Sequence, residues 1–199
     1  VRATVPRRRS VPTGELVRGA DGAWLQEHLA REAAQSDRGT VASVSDELEK
    51  MFECALHVDL DERDVLLRGT PTSLQWRLPL ADLGEGITQV LPVITLCAMA
   101  ERGDLGAGPI LCIEQPEMHL HADAERALAT FLARVAKSAL APRLVVETHS
   151  EILLRALLLE VAEGRIAPED IALHWVSRES TASESRVLHV PLDDNGNPQ

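Results

Sequence analysis

The chain has 199 residues, 45% of them hydrophobic and 26% charged, a composition that excludes a disordered or fibrous protein. A chain of this length buries roughly 70% of its unfolded surface, enough for one domain with a real core. Twenty Lys and Arg against 31 Asp and Glu give a net charge of −11, which excludes a protein whose whole surface binds nucleic acid.

Residues 1–22 hold Pro6, Pro12, Gly14, Gly19 and Gly22 and read as an extended, turn-rich arm. Within residues 1–20 five arginines (Arg2, Arg7, Arg8, Arg9 and Arg18) stand against Glu15 alone, so the arm is basic in an acidic chain. Such a segment is first a solvated terminus and second a contact for phosphates or an acidic partner. From Trp24 to about Ala34 the spacing is helical, with Leu25, Leu29 and Ala33 on one face. A second helix is predicted from Val44 to Cys54, with Val44, Leu48 and Met51 inward and Ser43 or Ser45 as its cap. Asp37–Gly39 separates the two. The period then shortens: Leu56–Leu60, Val65–Arg68 and Ser73–Leu78 predict a small antiparallel meander. Residues 23–78 thus read as a helical and β-meander subdomain.

After Pro79 the pattern becomes α/β, and residues 79–199 read as one unit. A helix is predicted from Thr88 to about Arg102, and the turn Gly103–Pro109 leads into the strand Ile110–Ile113. A long amphipathic helix, Ala122–Ala139, carries Ala124, Leu128, Phe131, Leu132, Val135 and Ala139 on one stripe and stops before Pro142. Arg143–Val146 is a second buried strand, Glu151–Glu163 a helix closed by Gly164, and Ile171–Val176 and Arg186–Val190 are final strands. Strands alternating with helices predict parallel pairing in a layered α/β domain. Cys54, Cys97 and Cys112 lie in apolar surroundings without CxxC spacing, which predicts reduced core thiols and a cytoplasmic location. No apolar run reaches 18 residues, so no membrane contact is expected.

Three segments carry chemistry. Leu83–Gln89 places Gly84 and Gly86 just before a helix, where unpaired N–H groups and the positive dipole end meet phosphate oxygens. Ile110–His121 runs four apolar residues into Glu114, a carboxylate at the C-terminal edge of a strand, suited to Mg²⁺. His119 and His121 read as turn residues, since no third and fourth zinc ligand stands near them in the sequence. Leu144–Ser150 ends another strand in His149, which can donate a hydrogen bond to a phosphate.

In this order the three segments resemble the distal half of an ABC-type ATPase head, most closely the OLD-like and SMC-like group of AAA ATPases. Gly84–Gln89 resembles the signature loop, Ile110–Glu114 the Walker B strand, Met118–Ala122 the D-loop and His149 the switch histidine. The resemblance implies an α/β fold: a partial P-loop NTPase lobe with parallel core strands flanked by helices. It implies ATP and Mg²⁺ as cofactors, with Glu114 on the metal and His149 on the γ-phosphate. Gly84, Glu85, Gly86, Thr88 and Gln89 would contact the nucleotide of a facing head. Many such proteins act in DNA repair or phage defence.

Two departures shape the expectation. No Gly-x-x-x-x-Gly-Lys-Ser/Thr occurs, and the chain's two lysines, Lys50 and Lys137, follow no glycine-rich loop. With a first residue other than Met, this predicts a C-terminal portion completed by a P-loop-bearing segment or partner, in a homodimer or a complex, with a nuclease or DNA as further partners. The position after Glu114, usually Glu in such heads, is Gln115, and an amide cannot accept the proton of an attacking water. Glu117, two residues on, is a second candidate for that water. The alternative function is a degenerate, non-hydrolysing module that dimerises or controls a partner nuclease. An unrelated α/β enzyme using Glu114 and His149 as an acid–base pair is the third reading.

Overall fold

Leu25, Leu29, Ala30 and Ala33 recur at helical spacing, and α1 (Leu25–Ala34) buries all four. The computed structural model describes residues 9–10, 24–34, 39–60, 64–140, 142–178, 183–193 and 195–199. Apart from Arg9 and Ser10, the basic arm lies outside them, as do Asp37 and Arg38 of the expected break. The second helix, α2 (Gly39–Phe52), starts before the expected Val44 because its cap comes from α1. The Glu32 carboxylate accepts the N–H groups of Thr40 at 2.9 Å and Val41 at 3.1 Å, and also the Thr40 hydroxyl. Ser45, expected as a cap, sits inside the helix, and its hydroxyl accepts from Leu56 N–H at 2.9 Å, tying α2 to the following strand.

The meander is present. With β1 (Arg9–Ser10), β2 (Cys54–Leu60), β3 (Asp64–Pro71) and β4 (Leu78–Pro79) form an antiparallel sheet centred on β3, in register from Cys54↔Pro71 to Leu60↔Val65. The third strand, expected over Ser73–Leu78, shrinks to two residues, because Leu74 N–H turns back onto the Pro71 carbonyl.

Helix α3 (Glu85–Arg102) buries Ile87, Val90, Leu91, Val93, Ile94, Cys97, Ala98 and Met99 around most of its circumference, as the central helix of the core must. It is followed by β5 (Ile110–Glu114), α4 (Ala122–Ala136), β6 (Arg143–Glu147), α5 (Glu151–Ala162), β7 (Leu173–Ser177) and β8 (Arg186–Val190). On α4 the predicted stripe is buried at Ala124, Leu128, Phe131, Leu132 and Val135, but the helix ends at Ala136 and Ala139 is exposed. One apolar cluster runs from Trp24 through α2, α3, β5 and α4 to Leu153 of α5. Leu128, 0% exposed, sits within it, and Leu128→Ala is expected to cost about 2–5 kcal/mol in urea unfolding.

Strands β5 and β6 pair parallel, as expected from the strand–helix–strand order. The last two strands do not follow: β7 and β8 pair antiparallel with each other, apart from β5 and β6 among the described residues. Cys54 and Cys97 are buried, and burial pushes the Cys97 thiol far up; Cys112, expected in the core, is exposed. The reason is strand alternation: Leu111 and Ile113 face the helices, whereas Ile110, Cys112 and Val145 look outward on the opposite face.

The lower end of α4–α5 is held by a buried carboxylate. Glu160, 3% exposed, accepts from Arg165 at 2.9 Å and from the Thr130 hydroxyl at 2.7 Å. The Arg165 guanidinium, first, and the Thr130 hydroxyl hold its carboxyl below the usual range against the cost of burial. A depressed carboxyl contributes stability above its unfolded pKa and loses it as pH falls through the folded value. Urea midpoints are therefore expected to fall on acidification below about pH 4.5, and Glu160→Gln to flatten that part of the profile.

Candidate functional site

Two strands end in the same way, four residues and then a glutamate, and the parallel register sets Glu114 opposite Glu147. Both are exposed at the C-terminal edge of the β5–β6 pair, where open α/β sheets bind their ligands. One further backbone bond, from Gln115 N–H to the Glu147 carbonyl at 2.8 Å, carries the pairing past the strand ends. The chain then reverses. Gln115 at φ 46° and His119 at φ 63° adopt the left-handed region that L side chains rarely occupy, and Met118 and Leu120 donate back to the carbonyls of Gln115 and Glu117.

This turn reaches the loop after β6. Glu117 Oε1 accepts the His149 backbone N–H at 3.0 Å. The His149 imidazole is 76% exposed, with Nε2 3.7 Å from Glu147 Oε1. One residue on, the Ser150 hydroxyl caps α5 by accepting from Ile152 and Leu153 N–H at 3.1 and 3.2 Å, and it donates to the Glu125 carboxylate of α4. Glu114, Gln115, Glu117 and His149 thus come together at one edge of the sheet.

The glycine segment meets the same turn from the other side. Gly84, at φ 123°, is the N-cap of α3, so Glu85, Gly86, Thr88 and Gln89 form the first turns of a helix, not a loop. Gly84 and Glu85 face outward, whereas Thr88 is buried and its hydroxyl donates to the Glu85 carbonyl at 2.9 Å. That hydroxyl serves the helix start. A Cβ on Gly86 would stand 2.7 Å from the His119 carbonyl oxygen, and Glu85 Oε2 lies 3.3 Å from His119 Nδ1. Gly86→Ala forces the helix start off the backbone of the turn, and an expected loss of about 1–3 kcal/mol is measurable by urea unfolding.

His121 Nδ1 accepts from Ala124 N–H at 3.3 Å and caps α4. Among the described residues no group of three His, Cys, Asp or Glu side chains is placed to hold a metal ion. The donor set suits Mg²⁺ nonetheless, since that ion takes one or two carboxylates and completes its shell with water and phosphate oxygens. Glu114, and Glu147 beside it, are such donors. Sequence reasoning missed Glu147, although its signal was there: ILCIE and RLVVE end alike, and equal parallel strands must bring their last residues together.

No described helix is long and apolar enough to cross a membrane. A comparison with curated protein sequences finds no match. Among solved structures, an SMC ATPase described for its ATP-driven dimerization and DNA-stimulated activation superposes with a TM-score of 0.56 at 12% identity, over 76% of this chain and 83% of that one. A Pyrococcus furiosus SMC head with an extended coiled coil, bound to the C-terminal domain of ScpA, gives 0.56 at 12% identity, over 77% of this chain and 35% of that one. The SMC head domain of Thermotoga maritima gives 0.51 at 14% identity, over 84% and 52%. The chain thus spans well under two thirds of the last two. At such identities the likeness shows the fold alone: part of an ABC-type P-loop NTPase head. A family model described as "AAA domain, putative AbiEii toxin, Type IV TA system" matches residues 27–155, well over half of the sequence, and the chain belongs to this AAA-domain family.

Proposed function

We propose that the chain is the C-terminal portion of an ATP-hydrolysing head that needs a P-loop-bearing segment or partner. The observation that carries this reading is the parallel register that sets Glu114 beside Glu147, with His149 on the loop just beyond. Glu114, with Glu147 beside it, would hold Mg²⁺, which would supply neutralisation of the phosphate charge. His149 donates a hydrogen bond to the γ-phosphate. Gln115, at the start of the turn, faces the attacking water, and Glu117 ties that turn to the loop bearing His149. Gly84, Glu85 and Gly86 offer the N-terminus of α3 to the nucleotide of a facing head, with Thr88 and Gln89 behind them shaping that helix start.

In this reading two heads close on ATP, consistent with the ATP-driven dimerization described for the similar SMC ATPase. The same protein's stimulation by DNA, and the toxin–antitoxin wording of the family description, support a role in DNA repair or phage defence, with DNA or a nuclease as partner. Gln115 favours a second reading, a non-hydrolysing module that dimerises or regulates a nuclease, because an amide cannot take the water's proton.

The test is calorimetry and phosphate release with Mg·ATP. The isolated chain lacks the lysine and glycine-rich cradle that supply most phosphate contacts, so weak binding and no turnover are expected. Joined to a P-loop-bearing partner, it is expected to hydrolyse ATP slowly and only with Mg²⁺. Micromolar binding by the isolated chain would refute the need for a partner.

A further inference from the structure

The turn after β5 and the loop after β6 are far apart in sequence, yet the proposed chemistry needs them fixed relative to each other. A backbone bond joins their roots, Gln115 N–H to Glu147 O at 2.8 Å. Farther out, a side chain joins them: Glu117 Oε1 accepts His149 N–H at 3.0 Å. The imidazole of His149 is 76% exposed, so its place is set by the backbone that carries it. The other Glu117 oxygen, Oε2, is buried and has no hydrogen-bond partner among the described residues.

A general base needs an oxygen open to the attacking water. Here one oxygen is committed to a backbone N–H and the other is shut off from solvent. Withdrawal from water strengthens the charge-assisted bond that remains. We infer that Glu117 is a positioning residue, whose carboxylate holds the His149 backbone, and with it the imidazole, in register with Glu114 and Gln115. The inference rests on the ATPase reading for its catalytic consequence but not for the tie itself, and the two are separable by experiment.

Amide hydrogen exchange on the chain alone tests the tie. Glu117→Ala is expected to speed exchange at the His149 amide about tenfold or more. Glu117→Gln, whose amide oxygen can still accept, has a smaller effect, and unchanged exchange at Leu111 and Val146 reports an intact fold. Unchanged exchange at His149 in Glu117→Ala overturns the inference whether or not the chain is an ATPase.

In the head completed by a P-loop-bearing partner, Glu117→Ala is expected to lower kcat about 100-fold with KM for ATP moved less than about threefold. Glu117→Gln recovers most of that loss. The double variant Glu117→Ala/His149→Ala runs no slower than His149→Ala, because both act through one imidazole. A Glu117→Gln enzyme as slow as Glu117→Ala, with His149 exchange unchanged, assigns Glu117 to proton transfer and overturns the positioning role. Absence of turnover in the unsubstituted head speaks against the ATPase reading and leaves the exchange result to decide the tie.

Discussion

Glu114→Gln is expected to lower Mg²⁺-dependent hydrolysis by the completed head about 100-fold or more, with a matching loss of Mg²⁺-dependent nucleotide affinity. The substitution keeps the size and the strand, since Glu114 is exposed at the end of β5. What it removes is the negative oxygen opposite a divalent cation, and an amide oxygen is a weaker partner for a hard ion. Glu147, opposite in register, retains one carboxylate, so Glu147→Gln alone is expected to cost less and the double variant to abolish Mg²⁺-dependent nucleotide binding and hydrolysis altogether. Calorimetric titration of Mg·ATP, with EDTA-treated nucleotide as reference, separates metal-dependent from metal-independent affinity. An unaltered Mg²⁺ dependence in Glu114→Gln would remove this residue from the metal.

The parts that were legible from sequence are those where one local signal decides. The α4 stripe of Leu128, Leu132 and Val135, the strand ILCIE and the Gly164 stop, at φ 71°, each follow from periodicity or a single backbone demand. The parts that were not legible depend on a partner far away in the chain. Helix α2 begins at Gly39 because Glu32, on another helix, caps it. Ser45 looks like a cap in sequence and instead bonds Leu56 on a strand. Cys112 reads as a core thiol until the pleat places it opposite Leu111 and Ile113. At the site the same distinction holds. The edge position of Glu114 and His149 follows from apolar runs that end in polar residues, and Glu147 from their equal lengths. The direction of Glu117, toward the backbone of His149, depends on a turn with two residues at positive φ that no periodicity announces. Nor does any pattern foretell the approach of Gly86 to His119, which joins the helix start of α3 to that turn.

His149→Ala, in the completed head, is expected to leave Mg·ATP affinity within about threefold and to lower kcat about 100-fold, because its hydrogen bond strengthens only as charge develops around the γ-phosphate. The imidazole carries no packing load at 76% exposure, so the loss cannot be charged to unfolding, and thermal melts of the variant should superpose on those of the parent. Gln115→Glu completes the argument from the opposite direction. If the position after Glu114 faces the attacking water, restoring a carboxylate there gives the water a proton acceptor, and the rate is expected to rise about tenfold or more. The left-handed backbone at Gln115, φ 46°, is as strained for Glu as for Gln, so the substitution leaves that backbone demand unchanged. Single-turnover phosphate release, which isolates the chemical step from product release, is the measurement. A rise with Gln115→Glu together with a fall with His149→Ala places both residues on one γ-phosphate. Small and equal responses to substitution at Glu114, Gln115 and His149 mean that these residues no longer work on a nucleotide, and the chain then serves its partner as a non-hydrolysing module.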